Sequence, residues 1–489
     1  MNFVEKPFLY FILVVFGLWW ITRRFQFVNQ GILLVASLVF YAFHQWELVF
    51  LILAYCLVDW IVGLWITNSK QPMMWLSAGV IFNLAGLAFW KYTPMLVRTA
   101  AWIALKLDLP EVPPAPENWL LPIGISFYSF TGIAYMVDVY RGDTKAERNP
   151  FRFALYISFF PQLVAGPILR ANEFLNKLQP GEAPEKPLAP LEAATWIARG
   201  FFKKLVLADS IARAIDPFFA HIADGSTAGV WSLPFVYLYA FQIYFDFSGY
   251  TDIARGLGLL FGYRWPENFN APYLANSVQD FWQRWHVTLS RFLRDYLYIP
   301  MGGSRGGHWL TVRNLMVTML LGGLWHGASW TFLLWGGLHG LFLVIHRSWK
   351  SPPFGNWMAR SPSVIRWAWQ GFCVVLTFHA VCLAWCFFRL SVLGQSLVCV
   401  QKWFVFDSAK MFVGGSANRS LWLLLGCYAI FGLSARVVAR MPQVRGEENG
   451  PELSPTFRGF LWGTASALFL LAFVLSPGGE KPPFIYFRF

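Results

Sequence analysis

The chain has 489 residues, of which 56% are hydrophobic and only 13% are charged, and its mean hydropathy is +0.46. Soluble domains carry about 25% charged residues, so this chain lacks the charge to cover a surface that faces water. The composition excludes a soluble globular domain and predicts an all-α, polytopic integral membrane protein.

The formal net charge of +13 could indicate a nucleic-acid partner. The basic residues, however, lie between apolar segments, at 141–152, at Lys203 and Lys204, and at 436–445. Cytoplasmic loops that face anionic lipid explain this pattern better. Membrane lipid is therefore predicted as a partner, and nucleic acid is not.

Apolar stretches long enough to span or enter a bilayer recur along the chain, roughly ten to twelve in number. They lie at residues 8–22, 31–43, 48–67, 74–90, 119–137, 153–168, 228–245, 315–345, 367–388, 420–434 and 457–476. Arg23 and Arg24 follow the first stretch, which predicts an N-terminus outside and these arginines in the cytoplasm. That stretch lacks a small-residue cleavage site, so we expect a retained span.

Polar connectors near 170–195, 348–365 and 440–456 separate the apolar stretches, and none is long enough to form a soluble catalytic domain. We therefore predict one membrane domain over 1–489, with an active core at about 244–340. The sequence shows no internal repeat, which weakens a transporter built from inverted repeats. The cysteines lack paired metal-ligand spacing, so no metal site is predicted. They are Cys56, Cys373, Cys382, Cys386, Cys399 and Cys427.

Ionisable residues interrupt the apolar sequence between Tyr244 and His339. Such residues are costly at membrane depth and are functional candidates by default. They are Asp246, Asp252, Arg255, Asp280, Arg284, His286, Arg291, Arg294, Asp295 and His326.

Residues 280–297 have the periodicity of an amphipathic helix that lies in the interface or re-enters the membrane. On a continuous helix, Arg284, Thr288, Arg291 and Asp295 share one polar face, which could equally be a surface facing lipid headgroups. His286 lies outside this stripe, and a structural histidine is an open alternative. The glycine-rich stretch 300–307 that follows is predicted to be a plain loop rather than a phosphate-binding loop.

His326 stands in the apolar, glycine-rich sequence LGGLWHGA at 321–328. A buried neutral imidazole can accept a proton from a hydroxyl group, which acyl transfer to an alcohol requires. A satisfied structural histidine is the alternative. His339 would point about 140° away on a continuous helix, so it is not expected to share this site. The remaining histidines are predicted to be structural or exposed.

Several motifs together resemble the membrane-bound O-acyltransferase family over nearly the whole chain. They are LPIGISFY (121–128), FPQLVAGPI (160–168), YFDFSGYTD (244–252), FWQRWHVTLS (281–290), LRDYLYIP (293–300), GLWHG (323–327) and FIYFRF (484–489). Within the family, the chain most resembles the bacterial alginate-type polysaccharide O-acetyltransferases. The motifs that carry this resemblance are GISFY, VDVYRG, and AGP followed by LR.

The resemblance implies a helical membrane body around a central tunnel, with His326 as the principal catalytic histidine and His286 at the second active-site position. It implies acetyl-CoA or another acyl thioester as the cytoplasmic donor, with no bound cofactor. The acetyl group would pass to an exported polysaccharide through an extracytoplasmic partner protein, in the inner membrane of a bacterium.

Three alternatives remain open at the level of sequence. The first is transfer of D-alanine or another acyl group from a carrier protein to a cell-envelope polymer. The second is a transporter or flippase whose buried histidines and aspartates relay protons. The third is a catalytically silent scaffold of an export complex.

Overall fold

The computed structural model describes residues 1, 3–114, 116, 119–182, 189–225, 232–349, 357–404, 463, 467, 484 and 485. The regular elements in these ranges are helices, and the β-structure found there is one isolated bridge, so the all-α prediction is confirmed. The predicted segment at 420–434 lies outside the described residues, as does nearly all of 457–476.

The chain divides into two compact units. The first comprises Met1–Phe201, Gly249–Pro266 and Pro483–Phe489, and the second comprises Phe202–Ser248 and Glu267–Pro482. These are units of packing, and the single acyltransferase domain expected over 1–489 stays a prediction.

The helices of the first unit begin close to the N-terminus. They are α1 (Lys6–Thr22), α2 (Gln26–Ala42), α3 (Leu48–Asn68), α4 (Pro72–Leu87), α5 (Thr93–Lys106), α6 (Ile125–Arg141), α7 (Pro150–Ser158), α8 (Phe160–Leu163), α9 (Ala171–Phe174) and α10 (Pro190–Phe201). A π-helical turn at Ala88–Tyr92 joins α4 to α5. Helices α3, α4 and α6 pack against one another, and α1 packs on α2.

The helices that follow are α11 (Asp209–Ala223), α12 (Leu233–Leu260), α13 (Val278–Arg284), α14 (Val287–Leu293), α15 (His308–His326), α16 (Trp330–Ser348), α17 (Ser363–Arg389) and α18 (Leu393–Gln401). Helix α12 belongs to the second unit up to Ser248 and to the first unit from Gly249. The other seven belong to the second unit.

Among the described residues, three helices are long and apolar enough to cross a bilayer. They are α3, the continuous helix Pro72–Lys106 and α17, with mean hydropathies of 2.3, 1.6 and 2.1. Helices α1 and α2 are shorter and apolar. The membrane character and the polytopic fold predicted from composition are confirmed.

The apolar stretch at 153–168 does not form one helix. Helix α7 ends at Ser158, Phe159 takes a non-helical conformation (φ −54°, ψ 113°), and α8 has only four residues. Pro161 explains the break, because proline has no N–H to donate and its ring clashes with the carbonyl group four residues earlier. All residues from 153 to 169 are buried, so this stretch is part of the core of the first unit.

A polar cluster lies where α3, α4 and α6 meet. Asn83 donates a hydrogen bond of 2.7 Å to Asp59, and both side chains are buried. Gly132 of α6 makes room for them, since a Cβ at this position would lie 1.9 Å from Asp59 Oδ2. Small residues at helix contacts allow this close approach.

Bidentate ion pairs connect α10 to the later part of the first unit. Arg199 donates bonds of 2.7 and 2.8 Å to Asp252, and Arg264 donates bonds of 3.0 and 2.9 Å to Glu192. Two of the charges between Gly249 and Pro266 thus serve packing in this unit.

The second unit contains a buried ion triad of Lys204, on the π-helical turn Phe202–Ala208, with Asp209 of α11 and Asp246 of α12. Lys204 Nζ lies 2.8 Å from Asp209 and 2.7 Å from Asp246, and the three side chains are at most 5% exposed. Burial raises the pKa of Asp209 to about 6. Burial alone would lower the pKa of Lys204, but the two aspartates outweigh it and raise that pKa.

Helices α15 and α16 form a tight helical hairpin. A Cβ on Gly323 would lie 2.3 Å from the carbonyl oxygen of Phe332, and one on Gly336 would lie 2.2 Å from that of Met319. The predicted segment 315–345 is therefore two helices, because α15 ends at His326 and Gly327 is extended (φ −165°, ψ 154°). Ser329 caps α16 by accepting a bond from the Thr331 amide.

Candidate active site

A sharp break between α13 and α14 positions His286. Trp285 is extended, and His286 adopts the left-handed conformation with φ 44° and ψ 54°. The continuous helix predicted over 280–297 is therefore wrong. A non-glycine residue in this region costs about 1–3 kcal/mol and persists only where its surroundings enforce it.

The surroundings in this case are the strand-like segment 268–270. The Asn270 amide donates to the Arg284 carbonyl at 2.9 Å, and the Val287 amide donates to the Asn268 carbonyl at 3.0 Å. Phe269 and Trp285 form an antiparallel bridge between them. These backbone bonds replace the helical ones and turn the His286 side chain inward, where it is completely buried.

The break also divides the polar stripe predicted on that helix. Arg284 pairs with Asp280 at 2.7 Å, whereas Thr288 is buried and donates to Asn268 at 3.0 Å. Asp295 pairs with its neighbour Arg294 at 2.6 Å. The stripe is therefore not one surface facing lipid headgroups.

Asn268 determines which nitrogen of His286 carries the proton. Its Oδ1 atom accepts bonds from the amide and the hydroxyl of Thr288, at 3.1 and 3.0 Å, which identifies it as the oxygen. His286 Nδ1 lies 3.2 Å from the same atom and must donate to it. Burial lowers the pKa of His286 to about 3, so the ring is neutral, with Nε2 as the acceptor nitrogen.

His326 is the last residue of α15 and is 4% exposed. Its ring packs against Trp335 of α16 at 4.9 Å between centroids and against Phe388 of α17 at 5.3 Å. The turn at Gly327 brings α16 back beside it. His326 is thus enclosed by aromatic side chains from two further helices.

The structure brings the two candidate catalytic histidines together. The ring centroids of His286 and His326 are 6.4 Å apart, and Trp325 packs against both, at 5.9 and 4.9 Å. Phe247 closes the other side of His286 at 4.8 Å. Two imidazole rings at this separation can contact one bound group in a site lined by aromatic residues.

His339 lies nearer to this site than a continuous helix would place it. The ring of Trp335 packs against His339 at 4.8 Å on one side and against His326 on the other. His339 Nδ1 accepts a bond of 3.3 Å from the indole of Trp282. The continuous helix assumed for His339 is wrong because the chain turns back at Gly327, and the expectation that His339 does not share the site of His326 stays a prediction.

Three aspartates of the region form ion pairs elsewhere. Asp246 belongs to the Lys204 triad, Asp252 binds Arg199, and Asp280 binds Arg284. Arg291 and Arg294 line a separate cavity. Asn268 was missed by the sequence analysis, and nothing in its spacing could have singled it out.

No group of three or more His, Cys, Asp or Glu side chains within the described ranges could hold a metal ion. The described cysteines are free thiols, and Cys427 lies outside the described residues.

The sequence model of the membrane-bound O-acyltransferase family matches residues 145–388, which include both histidines. A probable alginate O-acetylase of Azotobacter vinelandii is 40% identical over 445 residues, covering 88% of this chain and 85% of that protein. A peptidoglycan O-acetyltransferase of Helicobacter pylori is 36% identical, covering 75% and 72% of the two chains. The chain belongs to the membrane-bound O-acyltransferase family.

Membership of this family confirms the resemblance stated from the motifs, including its alginate-type character, and makes the protein a membrane acyltransferase. A teichoic acid D-alanyltransferase of Bacillus subtilis is 27% identical, covering 75% of this chain and 91% of that protein. The acyltransferase relatives set aside the transporter and scaffold alternatives.

Proposed function

We propose that this membrane-bound O-acyltransferase moves an acetyl group from a cytoplasmic thioester, acetyl-CoA or a related donor, across the bacterial inner membrane. The acetyl group then reaches an exported polysaccharide through an extracytoplasmic partner protein. The observation that carries the proposal is the pair of buried histidines 6.4 Å apart. The names of the relatives support acetyl transfer to a polymer of the cell envelope.

In the proposed reaction His326 is the general base. Its neutral ring takes the proton of the acceptor hydroxyl while the hydroxyl oxygen attacks the thioester carbonyl carbon. The carbon–sulfur bond of the resulting tetrahedral intermediate breaks, and the thiolate takes the proton back from His326. The products are an ester and a thiol, and the histidine returns to its neutral state.

His286 is proposed to position a reactant and not to stabilise an oxyanion. Because Nδ1 donates to Asn268, the Nε2 atom can accept a hydrogen bond but has no proton to offer to developing negative charge. An acceptor nitrogen suits an incoming hydroxyl or thiol. The neutral state of the ring favours this role over the charged one.

Burial of the two histidines serves the chemistry. A site enclosed by Trp325, Trp335 and Phe388 restricts water, which would otherwise hydrolyse the thioester. A passage that opens to both sides of the membrane would let the acetyl group cross without its carrier. The central tunnel expected from the family is the path we propose for it.

The second candidate is transfer of D-alanine or another acyl group from a carrier protein to a cell-envelope polymer. The relative from Bacillus subtilis favours it, since its similarity extends over three-quarters of this chain. Supplying the purified protein with acetyl-CoA or with a D-alanyl carrier protein distinguishes the two donors.

The test compares wild type, His326→Ala, His286→Ala and His308→Ala at matched membrane levels, in cells that lack the endogenous protein. O-acetyl groups on the secreted polysaccharide are measured. His308 is an exposed residue at the start of α15 and is the control. We expect His326→Ala to lower acetylation by about 100-fold or more, the usual effect of losing a general base.

His286→Ala should also reduce acetylation, and His308→Ala should leave it unchanged. Folding of each variant is checked by its thermal unfolding midpoint in detergent. Normal acetylation by folded His326→Ala protein would refute the catalytic assignment.

A further inference from the structure

The first unit contains a buried carboxylate at membrane depth. Asp59 lies near the centre of α3, and its neighbour Asn83 lies on the continuous helix Pro72–Lys106. Both helices are long and apolar enough to cross the bilayer. Asp59 is 1% exposed and Asn83 is completely buried. An ionisable group at this depth is costly, so it is a functional candidate by default.

The described part of the chain supplies no basic partner for this carboxylate. The side chain that contacts the Asp59 carboxylate is Asn83, which carries no charge. Lys91, a buried basic residue on the π-helical turn after α4, donates instead to Ser126 at 3.1 Å. Buried charges in proteins are usually paired with an opposite charge or bound to a metal ion. The negative charge of Asp59 therefore calls for a cation that the described residues do not provide.

The orientation of the Asn83 amide places a second oxygen atom beside the carboxylate. Its Nδ2 atom donates to Asp59 Oδ1 at 2.7 Å and to the Gly79 carbonyl at 3.1 Å, which identifies it as the nitrogen and uses both of its protons. Asn83 Oδ1 and Asp59 Oδ2 are buried and have no hydrogen-bond partner among the described residues. Two neighbouring residues thus each keep one oxygen atom that can accept a ligand.

Two hydroxyl groups lie one helical turn away from this pair. Tyr55 precedes Asp59 by one turn of α3, and its hydroxyl reaches α4, where a Cβ on Gly86 would lie 1.8 Å from it. Ser129 precedes Gly132, against which Asp59 Oδ2 packs, by one turn of α6. Both hydroxyl-bearing side chains are buried, and neither donates to the carboxylate. Oxygen atoms from three helices therefore lie around one buried negative charge.

This set of atoms suits a monovalent cation. Hard metal ions such as those of the alkali and alkaline-earth series prefer oxygen ligands from carboxylates, amides, hydroxyls and water. One carboxylate neutralises one monovalent cation, whereas a divalent ion would leave a net positive charge buried in the bilayer. Such a site needs one acidic side chain and not a cluster of His, Cys, Asp and Glu residues.

We propose that Asp59 Oδ2 and Asn83 Oδ1 bind one sodium ion between α3 and α4, with the hydroxyls of Tyr55 and Ser129 or water completing its coordination. The ion neutralises the buried carboxylate and ties the two spanning helices to α6. The site belongs to the first unit, whereas His286 and His326 belong to the second. The proposal therefore does not rest on the acyl-transfer reaction.

The first test measures binding of ²²Na⁺ to the detergent-purified, full-length wild-type protein by scintillation proximity, with choline chloride keeping the ionic strength constant. We expect saturable binding that unlabelled NaCl displaces and choline chloride does not. The variants are Asp59→Asn, which has the same shape without the charge, and Asn83→Ala, which keeps the charge and removes the second oxygen atom. Asp143→Asn, which removes the same charge at an exposed position after α6, is the matched control.

Asp59→Asn and Asn83→Ala should each bind ²²Na⁺ at least about tenfold more weakly than wild type, and Asp143→Asn should bind it as wild type does. The thermal unfolding midpoint of wild type should also rise with the logarithm of the NaCl concentration, because an ion that binds only the folded state stabilises it. The midpoint of Asp59→Asn should not respond to NaCl. Its value in choline chloride shows whether this variant is folded, and Asn83→Ala decides the question if it is not.

Three results would overturn the proposal. The first is wild-type protein that binds no ²²Na⁺, which would mean that a proton or water neutralises or solvates Asp59. The second is equal stabilisation by choline chloride, which is too large for the site and would indicate an effect of ionic strength. The third is wild-type affinity for ²²Na⁺ in folded protein of either site variant.

Discussion

At the scale of single residues, the proton on His286 is placed by a neighbour that carries no charge. Asn268 Oδ1 accepts from three donors, and this arrangement leaves His286 Nδ1 as a donor and Nε2 as an acceptor. A neutral amide fixes the tautomer without raising the pKa of the ring. A carboxylate in the same place would fix the tautomer and would also raise the pKa of the ring.

Asn268→Asp should therefore raise the pKa of His286 by about 1–3 units, because an adjacent negative charge stabilises the imidazolium form. As the solution is acidified, His286 of this variant should therefore become positively charged at a higher pH than His286 of the wild type. Titration of ¹⁵N-histidine NMR signals in the purified protein measures this shift. Asn270→Asp, which adds the same charge at an exposed position, is the control. An unchanged titration in Asn268→Asp would show that this residue does not contact Nδ1.

The sequence singled out both histidines as candidates but not Asn268, the partner of His286. His286 and His326 stood out because an ionisable residue in apolar sequence is costly and because their motifs resemble a family. Asn268 lies 18 residues before His286 in an irregular segment, and it reaches the ring only because 268–270 pairs with 284–287. Such a contact depends on tertiary pairing, which periodicity does not record.

At the scale of helices, the breaks matter more than the helices themselves. The sequence located most apolar stretches within a few residues, as at α3 and α17. It did not predict the breaks at Phe159, Trp285 and Gly327. Each break depends on a tertiary contact of the folded chain or on a single local residue, and hydrophobic periodicity over a long window detects neither. Two of these three breaks position His286 and His326.

The hairpin of α15 and α16 should tolerate an added methyl group at Gly337 of α16 but not at its neighbour Gly336. In Gly336→Ala the added Cβ would lie 2.2 Å from a backbone oxygen, so we expect a loss of about 1–3 kcal/mol of stability. In Gly337→Ala it would meet only the end of the Leu320 side chain at 3.4 Å, and alanine favours helix by about 1 kcal/mol.

The thermal unfolding midpoint in detergent and the rate of acetyl transfer are measured for both variants. Separation of the hairpin in Gly336→Ala should also displace His326 and lower activity. Equal stability of the two alanine variants would show that α15 and α16 do not pack through Gly336.

At the scale of the whole molecule, composition alone predicted the environment. Large apolar side chains cover the outer surface of the first unit, as at Ile21, Phe27 and Leu105, each more than 70% exposed. Such a surface is stable in lipid and not in water. The distribution of charge predicts, in addition, which way the chain enters the membrane.

The N-terminal end of α1 should lie on the extracytoplasmic side of the membrane. The segment that follows α1 should lie in the cytoplasm, because Arg23 and Arg24 favour that side. The pair Lys6→Cys and Phe25→Cys tests this, since both positions are exposed, Lys6 at the start of α1 and Phe25 in the segment between α1 and α2. In intact spheroplasts a membrane-impermeant thiol reagent should label only Lys6→Cys. Labelling of Phe25→Cys before permeabilisation would reverse the predicted orientation.

The triad of Lys204, Asp209 and Asp246 has a consequence for how this protein can change over generations. Removing the lysine leaves two buried carboxylates in each other's field, so substitutions of Lys204 should be strongly destabilising. Removing one aspartate leaves one positive and one negative charge, so that change should be tolerated better. Descendant lineages should therefore lose an aspartate before they lose the lysine, a historical order of substitutions imposed by one buried charge cluster.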